Sequence, residues 1–261
     1  MGVVSIHKDN GPDYPADGTI KRPTLVLDCE GEAAAAVVAA LLDSGRPVFA
    51  ACPRPEAAAG LPSPGAGGPD LVRLVGHTRT ETAAAALAHA LRQLRRPPGA
   101  VVALSGGELP RGRLLDQPPQ QLRDGLELAL FPQLLAARHL LPLLAESRLP
   151  ARYVVIGGPA ADTPWSGYGH ASVAAAALRM LVLALREESL GSPVRVQQLS
   201  VCAPLRTRAL GDEACPDWPG PRDLGRQLVA LLDGPGTEPV VRFERSGHRS
   251  HAPSPLPKVT P

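Results

Sequence analysis

Short apolar runs alternate with longer helix-forming stretches along most of this chain, and no other feature restricts the possible folds as much. The runs are apolar on both faces, which is typical of parallel strands that helices cover on both sides. Right-handed crossover connections leave few topologies for this order. The sequence therefore predicts an α/β fold in a single domain, a doubly wound parallel sheet with a Rossmann-like, three-layer architecture. The predicted strands are 23–28, 47–51, 71–75, 100–104, 153–156, 194–201 and 239–243.

The stretches between these runs have helical spacing. They are 33–43, 80–94, 119–147, 172–186 and 222–232. Pro132 and Pro142 fall inside the third of them, which predicts a kinked or divided helix there. Thr78 or Thr80 is a candidate cap for the second.

Composition limits the domain organisation and the classes of function. A chain of 261 residues, 44% of them hydrophobic, suits one large α/β domain, here residues 23–245. The arm 1–22 lacks periodicity and the tail 246–261 is rich in Pro, Ser and His, so both are predicted to be disordered. The net charge is +2 with scattered basic residues, which argues against nucleic-acid binding.

The cysteines and the hydropathy pattern indicate a cellular compartment. Four cysteines without metal-ligand spacing predict reduced thiols and no metal site. No run reaches the ~18 apolar residues that a membrane span needs, and the N-terminus is polar, without the apolar segment of a signal peptide. We therefore expect a cytoplasmic protein with no membrane partner.

Residues 152–186 combine a strand, a loop with two aromatic side chains and a long Ala/Leu helix, in the sequence RYVVIGGPAADTPWSGYGHASVAAAALRMLVLALR. In α/β folds such a unit presents a side chain above the carboxyl ends of the strands. Tyr168 is therefore the candidate catalytic residue. A partly buried loop tyrosine is the structural alternative.

Several phrases, in their order along the chain, resemble the short-chain dehydrogenase/reductase family. YGHASVAAAALRMLVLALREE resembles the segment that begins at the family's Tyr-x-x-x-Lys, and ARHLLPLLAE resembles the helix before the catalytic strand. PVRVQQLSVCAPLRTR resembles the following strand and loop, and PRDLGRQLVALL the closing helix. The resemblance covers residues 23–243. It implies an NAD(P) cofactor and a reaction between a carbonyl and an alcohol, in which a tyrosine, a lysine, a serine and an asparagine take part.

The phosphate-binding turn departs from the family pattern Gly-x-x-x-Gly-x-Gly. Aligned without gaps back from Gly45, its glycines fall on Asp28, Glu32 and Ala34, and Glu30 adds a third carboxylate to the turn. Such charges would repel a pyrophosphate by on the order of several kcal/mol in a partly desolvated cleft. The turn predicts that no dinucleotide binds. The alternative is a shifted turn at Gly31 that admits a cofactor, which would then be NADP.

Three further residues are weak cofactor candidates by the resemblance. Arg54 follows the second strand, where it could meet a 2′-phosphate. Ser105 begins the Ser-Gly-Gly that stands in place of the family's Asn-Asn-Ala-Gly. Thr207 matches the threonine that contacts the nicotinamide amide in family members.

The catalytic positions are mostly replaced. The asparagine position falls on Ala129, the serine position on Gly157 or Gly158, and the lysine position on Ser172. Of the catalytic positions, only Tyr168 is kept.

Nearby residues are poor substitutes for the missing groups. A phenol without a neighbouring cation has a pKa near ~10 and transfers a proton poorly at neutral pH. Ser166 is a possible substitute hydroxyl or a turn serine, and His170, at the start of the helix, points elsewhere than position 172.

We weigh three functions. The first is a non-catalytic or atypical partner subunit of a homologous reductase or biosynthetic enzyme, which pairs with a second copy or an active relative through helices 120–145 and 172–186. The second is a dehydratase, isomerase or cyclase of bacterial secondary metabolism that uses Tyr168 with Ser172 or an acid of the turn. The third is a divergent NADP-dependent ketoreductase.

Overall fold

The computed structural model describes residues 5–8, 21–94, 96–104 and 112–244. Its strands form a single eight-stranded sheet in the order β1-β4-β3-β2-β5-β6-β7-β8. The pairs from β4 to β8 are all parallel, and β1 is antiparallel to β4. The strands are β1 (Ser5–Lys8), β2 (Thr24–Leu27), β3 (Val48–Cys52), β4 (Leu71–Val75), β5 (Ala100–Leu104), β6 (Ala151–Gly157), β7 (Val194–Val201) and β8 (Val240–Phe243).

Helices connect successive parallel strands and cover both faces of the sheet. They are α1 (Gly31–Asp43), α2 (Pro55–Ala59), α3 (Glu81–Gln93), α4 (Pro119–Ala129), α5 (Phe131–Glu146), α6 (Gly169–Glu188) and α7 (Pro221–Asp233). The hydroxyl of Thr80 accepts a hydrogen bond from the Ala83 amide at 3.3 Å and so caps α3. Thr80 is thus the cap, one of the two candidates from the sequence.

The core has two halves, one on each face of the sheet. On one face, α1 and α7 bury Val37, Leu41 and Leu228 against the strands. On the other, α3, α5 and α6 bury residues such as Leu87 and Leu140. Alternate residues of each buried strand serve the two halves, which is why the strands read as continuous apolar runs.

Helices α1 and α7 approach each other closely at Gly225. A Cβ atom at this position would lie 2.7 Å from the Ala36 carbonyl oxygen and 2.7 Å from the Ala40 Cβ atom. Only a residue without a side chain fits there.

The predicted fold class is confirmed: the seven parallel strands match the seven predicted runs, and the sheet is doubly wound. Strand order reverses between β2 and β5. In open α/β sheets, ligands bind outside the carboxyl ends of the strands at such a switch point. We call this side of the sheet the carboxyl edge and the opposite side the amino edge.

The structure differs from the sequence prediction in the N-terminal arm and after β3, and it confirms that the helix containing Pro132 and Pro142 is divided. Ser5–Lys8, inside the arm predicted to be disordered, pairs with β4, because the outer side of β4 offers backbone partners that a short run cannot signal alone. The loop predicted after β3 contains α2. The divided helix breaks at Leu130, before Pro132, while Pro142 lies inside α5. The predicted tail 246–261 is outside the described residues.

Residues 119–146 and 169–188 each contain an 18-residue window whose mean hydropathy (1.4 and 1.3) would suit a membrane-spanning helix. Here they form α4, α5 and α6. Ala136 and Leu140 of α5, and Leu178 and Val182 of α6, are buried against the sheet. Both stretches therefore contain core helices of the α/β fold.

Candidate functional site

The turn from β2 into α1 has an unusual backbone. Asp28 has a φ of +51°, a left-handed conformation that Asp and Asn tolerate better than most residues. Gly31, with φ +78°, starts α1, and Glu30 occupies the N-cap position without a side-chain cap bond. Asp28 thus keeps the left-handed backbone for which glycine is usually chosen, but it adds a carboxylate.

The three carboxylates of this turn have different surroundings. Glu30 forms an ion pair with Arg54. Glu32 accepts a hydrogen bond from the Arg208 backbone amide, at 3.1 Å to one oxygen and 3.2 Å to the other. Asp28 is half-buried, and its Oδ1 atom has no partner within the part of the chain that the structure describes. Two of the three acids are therefore bound to groups of the protein itself.

Burial raises the pKa of Asp28, and the positive charge of Arg79 and the nearby His77 partly offset this effect. The charge of Glu30 raises the pKa further. The site at the start of α1 is therefore acidic and partly desolvated, and a second negative group entering it would meet repulsion.

Two thiols lie behind this turn. Cys29 is fully buried and its Sγ contacts the Val26 carbonyl oxygen at 3.3 Å. Burial raises the pKa of Cys29 well above its usual range, and a hydrogen bond from Cys29 lowers the pKa of Cys52. Cys52 ends β3, where the resemblance places a ribose-binding acid, and it is fully buried there. Cys52 is therefore packed into the core, whereas a side chain that binds the ribose would have to be exposed at this position.

Tyr168 immediately precedes α6, which begins at Gly169, three residues before the predicted helix start at position 172, and Tyr168 is only 7% exposed. Its ring meets the Trp165 ring edge to face, with 6.3 Å between centroids and an interplanar angle of 84°. Its backbone amide donates to the Trp165 carbonyl oxygen at 3.0 Å. The loop thus folds back over the tyrosine ring.

Ser172, at the lysine position, is used to hold this loop. Its hydroxyl donates to the Tyr168 carbonyl oxygen at 3.0 Å and accepts from the Trp165 amide at 3.0 Å. His170 is 3% exposed, and its Nδ1 atom is buried without a partner in the described ranges. Ser166 is exposed on the loop. The structure therefore places no cation at position 172.

The serine position is occupied by a neighbouring amide. A Cβ atom on Gly157 would lie 2.0 Å from the Nε2 atom of Gln198, a buried residue of β7. That Nε2 atom has no partner among the described residues, while Oε1 accepts from the Arg179 Nε atom at 3.1 Å. Gln198 fills the volume that a larger residue at position 157 would need.

Arg179 connects this amide to a charged network. Its guanidinium forms an ion pair with Asp162 and donates to the Ser200 hydroxyl at 2.8 Å. Arg242 of β8 also donates to Asp162, at 2.7 Å. The hydrogen bond from Arg179 holds the pKa of Asp162 below its usual range. Sequence reasoning missed this network, although Arg179 is the one charged residue inside the apolar run 173–185.

At the asparagine position, Ala129 ends α4. One turn further on, Gln133 is 4% exposed and its Nε2 atom donates to the Leu104 carbonyl oxygen at 3.1 Å, at the end of β5. Its Oε1 atom is buried without a partner within the described residues. An amide therefore lies near the missing asparagine, and only its isolation among apolar neighbours in the sequence could have indicated it.

The loop after β7 reaches back to α1. Thr207 precedes the 3-10 helix Arg208–Glu213, whose first amide binds Glu32. The Arg206 amide donates to the Pro219 carbonyl oxygen at 2.9 Å. Thr207 is half-buried beside this contact. The cofactor candidates Arg54 and Thr207 therefore lie on two sides of the turn before α1: Arg54 is paired with Glu30, and Thr207 is next to the contact with Glu32. The third candidate, Ser105, lies outside the described residues.

The remaining observations concern Cys202 and possible metal ligands. Cys202, half-buried after β7, has its pKa raised by burial, which does not favour a thiolate nucleophile. Among the described residues no group of three or more His, Cys, Asp or Glu side chains could hold a metal ion.

Comparison with known proteins supports the architecture. No family model and no curated protein sequence matches the chain. Similar solved structures include a short-chain oxidoreductase from Pseudomonas aeruginosa PAO1, bound to NADPH and described as containing an atypical catalytic centre. It is 19% identical, with a TM-score of 0.75 over 88% of this chain and 98% of its own.

Two further structures agree. A short-chain dehydrogenase from Burkholderia cenocepacia J2315 in complex with NADP is 18% identical, with a TM-score of 0.72, over 86% of this chain and 88% of its own. A short-chain type dehydrogenase/reductase from Mycobacterium ulcerans is 19% identical, with a TM-score of 0.76, over 85% of this chain and 88% of its own. The sheet order, the switch point and these likenesses together show that the chain has the fold of the short-chain dehydrogenases/reductases.

Proposed function

We propose that this chain is a cytoplasmic member of the short-chain dehydrogenase/reductase family that has lost ordinary NAD(P)-dependent hydride transfer and acts as a non-catalytic partner subunit. The observation that carries the proposal is the hydroxyl of Ser172. It is bonded to two backbone groups of the loop around Tyr168. No cation at this position assists proton transfer by the tyrosine.

The residues of the α1 turn do not fit a dinucleotide phosphate. Asp28 places a half-buried carboxylate in the turn, and Glu32 binds the Arg208 amide across the first turn of the helix. Arg54, the candidate for a 2′-phosphate, is paired with Glu30. The charges that a cofactor would need are therefore absent from this turn or neutralised in it, which supports a function without NAD(P).

An apolar surface supports the partner role. Helix α6 exposes Val173, Ala176, Met180 and Ala184 on the side that faces away from the sheet, and we call these four residues the outer stripe. Met180 is 65% exposed. Contiguous exposed apolar patches mark interaction surfaces more often than scattered ones do. We propose a second copy of this chain as the partner, with a homologous reductase subunit as the alternative that the test can reveal.

A cofactor titration tests the catalytic part. We expect neither NADPH nor NADH at about 1 mM to change the melting temperature or the intrinsic fluorescence of the purified protein, because the acidic turn repels the phosphates. Saturable binding at micromolar concentration would contradict this part.

Size-exclusion chromatography with light scattering tests the partner part. We expect the mass of a dimer for the parent chain and of a monomer for Met180→Glu, because the new charge would be desolvated in the interface. Leu190→Glu is the matched control: Leu190 is 68% exposed but lies beyond the C-terminus of α6. A parent chain that is monomeric and co-purifies with no related subunit would rule out the partner role.

The comparison with the Pseudomonas oxidoreductase favours a second candidate, a divergent NADPH-dependent reductase. That protein binds NADPH and is described as having an atypical catalytic centre. If NADPH binds here, carbonyl compounds should be screened for NADPH oxidation, and Tyr168→Phe should abolish any activity found. Full activity of this variant would exclude Tyr168 as its proton donor.

A further inference from the structure

A pocket lies at the amino edge of the sheet, on the opposite side from the turn before α1. Segments that precede β2, β3, β5, β6 and β7 form its walls, together with the end of α7. Its volume is about 300 Å³. This is at the lower end of the range for small-molecule sites, and it suits a compact ligand. Nothing in the proposed function uses this pocket.

The lining of the pocket is strongly basic. Its cations are Lys21, Arg22, Arg46, Arg152 and Arg195, and no carboxylate belongs to the lining. For a chain with a net charge of only +2, this is a pronounced local concentration of positive charge. Gly99 makes room for the side chain of Arg22, because a Cβ atom on Gly99 would lie 2.6 Å from the Cβ atom of Arg22.

Neutral acceptors hold Arg22 and Arg195 in place. Arg22 donates to the Pro98 carbonyl oxygen at 2.7 Å and to the Ser147 hydroxyl at 3.0 Å. Arg195 donates to the Gly236 carbonyl oxygen at 2.8 Å. These acceptors fix the guanidinium groups but leave their charge in place. The geometry is therefore built before any ligand arrives.

Arg152 shows the same support. Its Nη1 atom donates to the side-chain oxygen of Gln197 at 2.7 Å, and its Nη2 atom donates to the Gly234 carbonyl oxygen. Gln197 is fully buried in β7, so this amide anchors the guanidinium from the core side.

The carboxylate of Asp233 borders the pocket. Asp233, at the end of α7, pairs with Arg46 and, at 3.4 Å, with Lys21. A single carboxylate cannot balance the cations of the lining. Burial lowers the pKa of Arg152, and the charges of Arg195 and Arg46 lower it further. The cations therefore repel one another, and an anion between them would relieve that repulsion.

Two of the lining arginines each have one nitrogen atom enclosed by the protein rather than open to the pocket. The Nε atoms of Arg22 and Arg46 are buried and have no hydrogen-bond partner among the described residues. The side chain of Arg46 is only 12% exposed. Buried donors of charged groups are normally satisfied.

We propose that this pocket binds the phosphate group of a small molecule. Arginine presents paired N–H donors that match phosphate oxygens, and several such groups around one cavity favour an oxyanion with more than one negative charge. Free phosphate and a phosphorylated metabolite share this chemistry. The pocket volume accommodates either one.

Titration of the full chain at low ionic strength with inorganic phosphate, pyrophosphate and glucose 6-phosphate tests the proposal, with calorimetry and melting temperature as readouts. We expect saturable binding of at least one of them, and their order of affinity separates a free-anion site from a metabolite site. Replacement of Arg195 by Gln should weaken the best ligand about tenfold, the loss of one charge-assisted hydrogen bond.

Arg186→Gln is the matched control, since the Arg186 Nη1 atom also donates to a backbone carbonyl, that of Thr237, at 2.9 Å, but outside the pocket. It should change the affinity less than about twofold. Asp233→Asn should strengthen binding, because it removes a carboxylate that borders the pocket. The proposal is overturned if no ligand binds saturably up to about 10 mM, or if Arg186→Gln loses as much affinity as Arg195→Gln.

Discussion

The segments that precede and follow β2 carry opposite charges. At the carboxyl edge, the turn after β2 presents Asp28, Glu30 and Glu32. At the amino edge, the segment before the same strand presents Lys21 and Arg22, and cations that precede neighbouring strands join them in one pocket. A dinucleotide cleft needs the reverse at the carboxyl edge, where the helix dipole and donors receive a pyrophosphate.

This contrast separates what holds the fold from what determines a function. The strands between the two edges are buried on both faces, so their side chains are constrained by packing. The charged residues that flank β2, such as Lys21, Asp28 and Glu30, are at least partly exposed, and their charges can change without loss of the sheet. The same architecture can therefore carry different charges at its two edges.

The largest expected effect tests whether both edges depend on one rigid frame. Gly225→Val places a side chain against the backbone of α1, which cannot move aside without shifting its β2 turn. We expect a loss of about 3 kcal/mol of unfolding free energy, measured by urea denaturation. Gly125→Val in α4 is the matched control, because nothing lies within 4 Å of a Cβ atom there. Equal losses in both variants would show that the α1–α7 contact is not special.

A smaller effect isolates the carboxyl edge. Arg179→Ala leaves Asp162 with Arg242 alone and leaves the Gln198 oxygen without its donor. We expect Arg179→Ala to lower the free energy of unfolding by about 2 kcal/mol in urea denaturation. Arg186→Ala, on the same helix and bound only to the Thr237 carbonyl, should cost less than about 0.5 kcal/mol. If the two variants are equally stable, the network does not organise this edge.

A local change at the same edge should cost less still. Thr80→Ala removes the side-chain cap of α3 and should destabilise the protein by about 1 kcal/mol, whereas Thr80→Ser should restore most of it. Urea denaturation of both variants measures the difference. An unchanged midpoint for Thr80→Ala would indicate that water replaces the cap.

The smallest effect has the opposite sign. Because burial raises the pKa of Asp28 in the folded protein, ionisation of this group at neutral pH disfavours the folded state. Asp28→Asn, which tolerates the same backbone, should therefore raise the melting temperature slightly at pH 7. The gain should fall as the pH drops through the folded pKa and vanish below about pH 3, where the carboxyl is protonated in both states.

Asp162→Asn provides the comparison. Its pKa is lowered by the bond from Arg179, so its contribution stabilises the protein above the unfolded pKa and is lost as the pH falls through the folded one. The melting temperature of Asp162→Asn should be lower than that of the parent at pH 7 and approach it in acid. The same sign for both variants would break the contrast between the two carboxylates.

The sequence predicted the parts of the molecule that periodicity controls. The seven parallel strands and the position of Tyr168 just before α6 follow from apolar runs and from the order of the phrases. The candidate site was harder to predict from the sequence, because Gln198 and Arg179 meet only when β7 and α6 pack together. The basic pocket needs the starts of five strands in one place, and no local pattern encodes that proximity.

The short strand β1 has a consequence for how the protein behaves in concentrated solution. It pairs along β4 from Ser5 to Lys8 and so covers the backbone groups on the outer side of that strand. An uncovered edge strand is a template for strand addition between molecules. Proteolytic removal of residues 1–8 would therefore expose the unpaired backbone groups of β4. The trimmed protein should aggregate at concentrations at which the intact chain remains in solution.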